Sequence, residues 1–124
     1  MIKLSLFTLG SLVSTVSIAN EVSSDFLKKE IELAHTQYLK GSPESGLYAL
    51  QALARILESD DSSSKLGPNN LSFTYLRIGL LHEQAGSDSM AKAYFNKAQS
   101  SYIGKNIEID QLKELVSKLD EMRS

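Results

Sequence analysis

The sequence predicts an all-α fold in which two antiparallel helical hairpins are followed by a C-terminal capping helix. From residue 25 onward, apolar side chains recur at intervals of three and four, which places them on one face of a helix. Nothing in residues 20–124 reads as a β-strand. Glycines stand where such helices would end, as they often do between paired helices, at Gly41, Gly67, Gly86 and Gly104.

The first hairpin is predicted over residues 25–58. Asp25 or Ser24 is the expected N-cap of its first helix, because a short side-chain oxygen accepts from free backbone N–H groups. Pro43 suits the first turn of the second helix, with Ser42 as its N-cap. The predicted buried faces comprise Phe26, Leu27, Ile31, Leu33, Ala34, Tyr38 and Leu39 on the first helix and Leu47, Leu50, Leu53, Ala54 and Leu57 on the second.

A polar loop over residues 59–71, with Gly67-Pro68 as a helix breaker, separates this hairpin from a second one over residues 72–102. The inward-facing residues of its second helix are expected to be Met90, Ala91, Tyr94, Phe95 and Ala98. A capping helix is predicted over residues 107–122. It has an apolar stripe and a wet side, formed respectively by Leu112, Leu115, Val116, Leu119 and Met122 and by Lys113, Glu114, Lys118 and Asp120.

Residues 1–19 have the pattern of a cleavable signal peptide, which leaves residues 20–124 as the helical domain. Lys3 supplies one positive charge, residues 4–18 carry none, and Ser17 and Ala19 are small residues at the positions a signal peptidase requires. An uncleaved anchor and a buried strand are the alternatives, although hydroxyl residues interrupt the apolar run that a membrane span needs. The predicted location is therefore periplasmic or secreted, with no stable membrane span after cleavage.

Charge and cysteine content exclude several classes of function. The formal net charge is −2, and no cluster of Lys and Arg is present to neutralise nucleic-acid phosphates. The chain has no cysteine, which excludes a disulfide framework, a Cys-ligated zinc ion and a thiol nucleophile. An exported chain without disulfides favours a bacterial periplasm, and no nucleic-acid partner is expected.

Residues 72–105 contain a spaced pattern of aromatic and small residues. The spacing is that of W-x2-L-G-x2-Y, followed by A-x3-F and one further small residue. Tyr75, Ile78, Gly79 and His82 stand at the positions of the first motif. Ala91 and Phe95 stand at those of the second, and Ala98 is the further small residue. This unit resembles a tetratricopeptide repeat (TPR) over its full 34-residue length. The resemblance implies that Gly79 faces Ala91 where the two helices cross, with Phe95 packed beneath.

The match departs from the TPR pattern in three places, with Tyr75 for Trp, His82 for Tyr and Ile103 for the final Pro. A degenerate copy is predicted over residues 27–60, where the first signature aromatic is missing. Sel1-like repeats are the nearest alternative, but the segment HEQAGSDSMA is too short for the loop they carry. Two repeats are fewer than the three usually needed for stability, so the fifth helix must cap the open end, or the chain must form a homodimer.

The resemblance also implies a partner-binding face, because TPR proteins usually hold ligands on the concave side lined by the first helix of each hairpin. The positions implied are Lys28, Ile31, His35, Tyr38 and Leu39 from the first unit and Phe73, Leu76, Leu80, Glu83 and Gln84 from the second. The alternative is that the fifth helix or the 59–71 loop packs on this face.

Neither histidine belongs to a recognisable catalytic or metal-binding motif. His82-Glu83 is not part of HExxH, and no further ligands stand at helical spacing from His35 or His82. His82 is expected to fill the aromatic packing position, and His35 to line the groove. The sequence therefore predicts no catalytic residues, no metal and no cofactor.

The expected function is that of a non-catalytic protein-binding or assembly-adaptor module of the bacterial periplasm, which holds a peptide or a helix on its concave face. The alternative is an inhibitor or immunity-type protein that blocks an exported enzyme, since small size and export suit both roles.

Overall fold

The computed structural model of the protein describes residues 23–59 and 66–123, which form five α-helices and no β-strand. This confirms the predicted all-α fold. In chain order the helices are α1 (Ser24–Lys40), α2 (Pro43–Ser59), α3 (Asn70–Gln84), α4 (Asp88–Ser101) and α5 (Ile109–Arg123). The predicted signal peptide, residues 1–19, lies outside the described residues, as do residues 60–65 of the polar loop.

The helices pack as two hairpins and a closing helix. α1 pairs with α2, α3 pairs with α4, and α2 also packs against α3. α5, the last helix, contacts both α3 and α4. No helix within the described ranges is long and apolar enough to cross a membrane. One hydrophobic core runs through all five helices, and its fully buried side chains include Leu27, Leu50, Leu53, Leu76, Ile78, Leu112 and Val116.

Serine hydroxyls cap the N-termini of both helices of the first hairpin. Ser23, and not Asp25 or Ser24, caps α1, since its Oγ accepts a 3.1 Å hydrogen bond from the backbone N–H of Phe26. At the start of α2, the Ser42 Oγ accepts from the backbone N–H of Ser45 at 3.1 Å, as predicted. The first helix therefore begins at Ser24, one residue before the predicted start of the hairpin.

The helices α3 and α4 approach each other closely at Gly79. A Cβ placed on this glycine would lie 2.6 Å from both Cδ1 and Cε1 of Phe95 and 3.3 Å from the carbonyl oxygen of Ala91. Near the other end of the pair, the buried Ser72 hydroxyl donates a 2.7 Å hydrogen bond to the carbonyl of Ala98. The predicted packing of Gly79 against Ala91 and Phe95 is therefore confirmed.

Four apolar side chains that were predicted to be buried are exposed: Phe26, Leu33, Met90 and Met122. Met90 lies in the first turn of α4 and Met122 in the last turn of α5, where a helix end has fewer neighbours. Phe26 and Leu33 lie on a side of α1 that no described helix covers. Helical spacing predicted which apolar residues share a face of each helix, but it did not show how much of that face the neighbouring helices would cover.

Candidate functional site

A groove of about 400 Å³ opens between α1, α3 and α5. Its α1 wall consists of Tyr38 and Leu39, and α5 contributes the polar edge. The remaining lining residues are Leu80, Leu81 and Gln84 on α3 and Ser117, Asp120 and Glu121 on α5. We call this surface the concave groove. It brings together four of the residues predicted for partner binding: Tyr38, Leu39, Leu80 and Gln84.

A buried guanidinium, that of Arg77, joins the three helices beside the groove. Its Nη2 donates to Oδ1 of Asp120 at 2.7 Å, and its Nε lies 3.2 Å and 3.4 Å from the two carboxylate oxygens. The side chain of Asp120 is only 14 % exposed, so the prediction that it lies on the wet side of the last helix is wrong. The reason is the charge of Arg77, which needs a carboxylate close by once it is removed from water.

His35 accepts a hydrogen bond from the same guanidinium. Its Nε2 lies 3.1 Å from Nη1 of Arg77, and because a guanidinium can only donate, the imidazole must be neutral with its proton on Nδ1. Burial, reinforced by the positive charges of Arg77 and Arg123, lowers the pKa of His35 from 6.5 to about 3. Its Nδ1 is buried and has no hydrogen-bond partner within the described part of the chain.

Tyr38 links this buried network to the open groove. The centre of its ring lies 5.9 Å from the Arg77 guanidinium carbon, a cation–π contact. Burial, followed by the negative charge of Asp120, raises the pKa of its phenol. The neutral, half-buried ring therefore presents an aromatic surface on one side of the groove and contacts a fixed positive charge on the other.

The other predicted partner-binding residues occupy three environments. Ile31, His35 and Leu76 are buried, and Phe73 is half-buried against the core. Lys28 and Glu83 are exposed, and Glu83 also accepts from Lys113 of α5 at 3.3 Å. Three of the ten predicted positions are therefore buried in this conformation.

The fifth helix lies beside part of the predicted partner-binding face. Arg77–Asp120 and Glu83–Lys113 both tie it to α3, and the Lys113 ammonium lies 4.5 Å from the centre of the Phe95 ring. α5 thus forms one wall of the concave groove and leaves the groove open. The alternative that the polar loop packs on this face concerns residues 60–65, which lie outside the described residues.

His82 belongs to an aromatic cluster and not to the concave groove. Its ring stacks on Tyr94 at a centroid distance of 5.7 Å, and Tyr94 in turn lies 6.0 Å from Tyr75. Burial and a hydrogen bond to Glu58 raise the pKa of the Tyr75 phenol. The predicted packing role of His82 is confirmed. Among residues 23–59 and 66–123, no group of three His, Cys, Asp or Glu side chains is arranged to hold a metal ion.

Sequence reasoning missed Arg77 and Asp120 as the pair that shapes the groove. One signal was available: Arg77 stands inside an apolar run of α3, between Leu76 and Ile78, where a charge must find a partner on burial. The identity of that partner depended on how α5 docks, which helical periodicity does not specify.

Comparison with known protein families, with curated proteins and with solved structures finds no match to this chain.

Proposed function

We propose that this protein is a non-catalytic, TPR-like protein-binding or assembly-adaptor module of the bacterial periplasm, which holds a peptide or helix in the concave groove. The observation that carries the proposal is the convergence of Tyr38, Leu39, Leu80 and Gln84, from two different helices, on one open groove. These residues are far apart in the sequence, and several are more apolar than a surface without a partner needs.

The TPR-like assignment is supported by the packing of α3 on α4. Gly79 and Ala91 are the small residues of the pattern, and Phe95 occupies the space above Gly79, as a close helix crossing requires. The pairing of helices into two adjacent hairpins, with a further helix on α3 and α4, supports a short repeat array with an end cap.

A binding role also fits the way in which the polar groups beside the groove are used. Asp120 and His35, which could otherwise act as an acid and a base, both direct their side chains to Arg77. Their hydrogen bonds therefore hold α1, α3 and α5 together. A peptide would meet apolar walls from Tyr38 and Leu80 and polar groups from Gln84 and Ser117, which could pair with its backbone.

Tyr38 is the expected energetic centre of such an interface. Aromatic residues in partly desolvated positions often dominate binding, and fully burying such a side chain contributes about 1.5–3 kcal/mol. The groove is small, so we expect an interface below the standard size, whose affinity depends on a few side chains.

Affinity purification from the native cell envelope tests this function. The protein, produced from its full-length chain, should capture a defined partner that is lost with Tyr38→Ala and with Leu80→Asn. Met122→Ala, which truncates an exposed side chain outside the groove, is the matched control and should retain the partner. Circular dichroism melts of each variant separate loss of binding from loss of folding.

Two results would argue against the adaptor role. Retention of every partner by folded Tyr38→Ala and Leu80→Asn variants would remove the concave groove as the binding site. Capture of an exported enzyme whose activity falls on titration with this protein would favour the inhibitor or immunity-type function instead.

A further inference from the structure

A second and larger groove lies between α1 and α2. It has a volume of about 680 Å³ and shares no lining residue with the concave groove. Its lining consists mostly of apolar side chains and short polar ones: Leu33, Ala34, Gln37, Ser42, Ser45, Tyr48, Ala49 and Ala52, with Glu30 and Glu44. We call it the hairpin groove.

The shape of the hairpin groove suits a helix. Its two large side chains, Leu33 and Tyr48, are 54 % and 73 % exposed and stand on opposite helices. The alanines between them leave space for another backbone to approach closely. Phe26, 47 % exposed, stands two helical turns before Leu33 on the same side of α1 and extends the apolar surface.

The charge of the lining is one-sided. Glu30 and Glu44 are its only ionisable carboxylates, and no Lys or Arg contributes to the lining. The helical rise places the two about 14 Å apart along the hairpin, so they stand towards opposite ends of the apolar strip. No ion pair within the described part of the chain engages either of them.

These charges and dimensions disfavour a second copy of this chain as the occupant. A two-fold dimer through the groove would bring carboxylates of the two copies towards one another, because Glu30 or Glu44 of one copy would face Glu30 or Glu44 of the other. The side of a hairpin of 17-residue helices is about 25 Å long and two helices wide, which is roughly 500 Å². A standard interface needs about 800 Å² from each partner.

We propose that the hairpin groove is a second docking surface, which takes an amphipathic helix of a partner protein. The partner helix has an apolar stripe that packs between Leu33 and Tyr48. A Lys or Arg stands at each end of that stripe, two to three turns apart, and pairs with Glu30 and Glu44. This surface is independent of the concave groove, so the protein can bridge two partners.

Two synthetic helical peptides with the same apolar stripe test the proposal, one flanked by Lys and the other by Glu. Binding of each fluorescently labelled peptide to the purified protein is followed by anisotropy at low and at physiological salt. The Lys-flanked peptide should bind at least tenfold more tightly, and its advantage should shrink as salt is raised. A scrambled peptide with the same Lys content controls for non-specific attraction.

Variants then locate the binding surface. Leu33→Asp and Tyr48→Ala should each weaken binding of the Lys-flanked peptide about tenfold or more, whereas the matched control Met90→Ser should not change it. The double variant Glu30→Lys/Glu44→Lys should reverse the preference and favour the Glu-flanked peptide. Leu33, Glu44, Tyr48 and Met90 are exposed and Glu30 is half-buried, so thermal melts of the variants should stay close to that of the parent.

Three outcomes would overturn the proposal. The first is equal binding of the two peptides, or an unchanged preference in the charge-reversed variant. The second is peptide binding that is lost with Leu80→Asn but not with Leu33→Asp, which would assign it to the concave groove. The third is a concentration-dependent dimer in light scattering that Leu33→Asp abolishes, which would make the hairpin groove a self-association surface.

Discussion

The guanidinium of Arg77 and the carboxylate of Asp120 meet at 2.7 Å and join the third helix to the last one. The two residues are 43 positions apart, and their contact fixes one wall of the concave groove. The same guanidinium holds His35 of the first helix, so one buried charge connects three of the five helices. The position of α5 therefore depends on a polar contact as well as on the burial of Leu112 and Val116.

Asp120→Asn should destabilise the protein by about 3 kcal/mol, because it leaves the buried charge of Arg77 without its carboxylate. The double variant Arg77→Met/Asp120→Leu should recover much of this loss, since it replaces both charges with apolar groups. Chemical denaturation of the parent and of both variants measures the difference. If Asp120→Asn unfolds at the same denaturant concentration as the parent, the pair does not hold α5 in place.

His35 should make the protein less stable as the pH falls below about 6.5. The unfolded chain takes up a proton near pH 6.5, but the folded chain does so only near pH 3, so the unfolded state binds more protons between these values. The free energy of unfolding should then fall with a slope that approaches about 1.4 kcal/mol per pH unit.

The matched variant is His35→Gln, whose amide oxygen can still accept from Arg77. The difference between the parent and variant unfolding free energies should vary with pH between about 6.5 and 3 and be flat above pH 7. A difference that is constant from pH 4 to pH 8 would show that His35 is not buried in its neutral form.

Gly79→Leu should destabilise the fold by about 1–3 kcal/mol, because a side chain there would collide with Phe95. Helix propensity predicts the opposite sign, since Leu is a better helix former than Gly by roughly 0.8 kcal/mol. Ala93→Leu, on the exposed side of α4, is the control and should be nearly neutral. A Gly79→Leu variant whose Tm equals or exceeds that of the parent would show that α3 and α4 do not cross closely at this point.

The five helices and their pairing could be predicted because each depends on local signals. Apolar spacing identified the core positions Leu50, Leu53 and Val116, and the need for a small residue at Gly79 followed from the repeat pattern. These features require no knowledge of how the hairpins dock.

The parts that could not be predicted depend on which surfaces meet. Asp120 and Lys113 occupy similar polar positions in the sequence of α5, yet Asp120 is held beside a buried arginine and Lys113 lies over the Phe95 ring. Leu33 matches the apolar spacing of α1 but stays exposed, because no described helix covers that side. Periodicity assigns a residue to a helix face, whereas the neighbour of that face is decided by tertiary packing.

The most direct test of the central claim is site-specific photo-crosslinking from the concave groove in the native envelope. A photoreactive residue in place of Gln84, which is exposed at the groove, should yield one discrete crosslinked partner, and Leu80→Asn in the same chain should abolish it. The same residue in place of Asn96, exposed on α4, should yield none. No adduct from position 84, or the same adduct from position 96, would contradict the assignment of the concave groove as a protein-binding site.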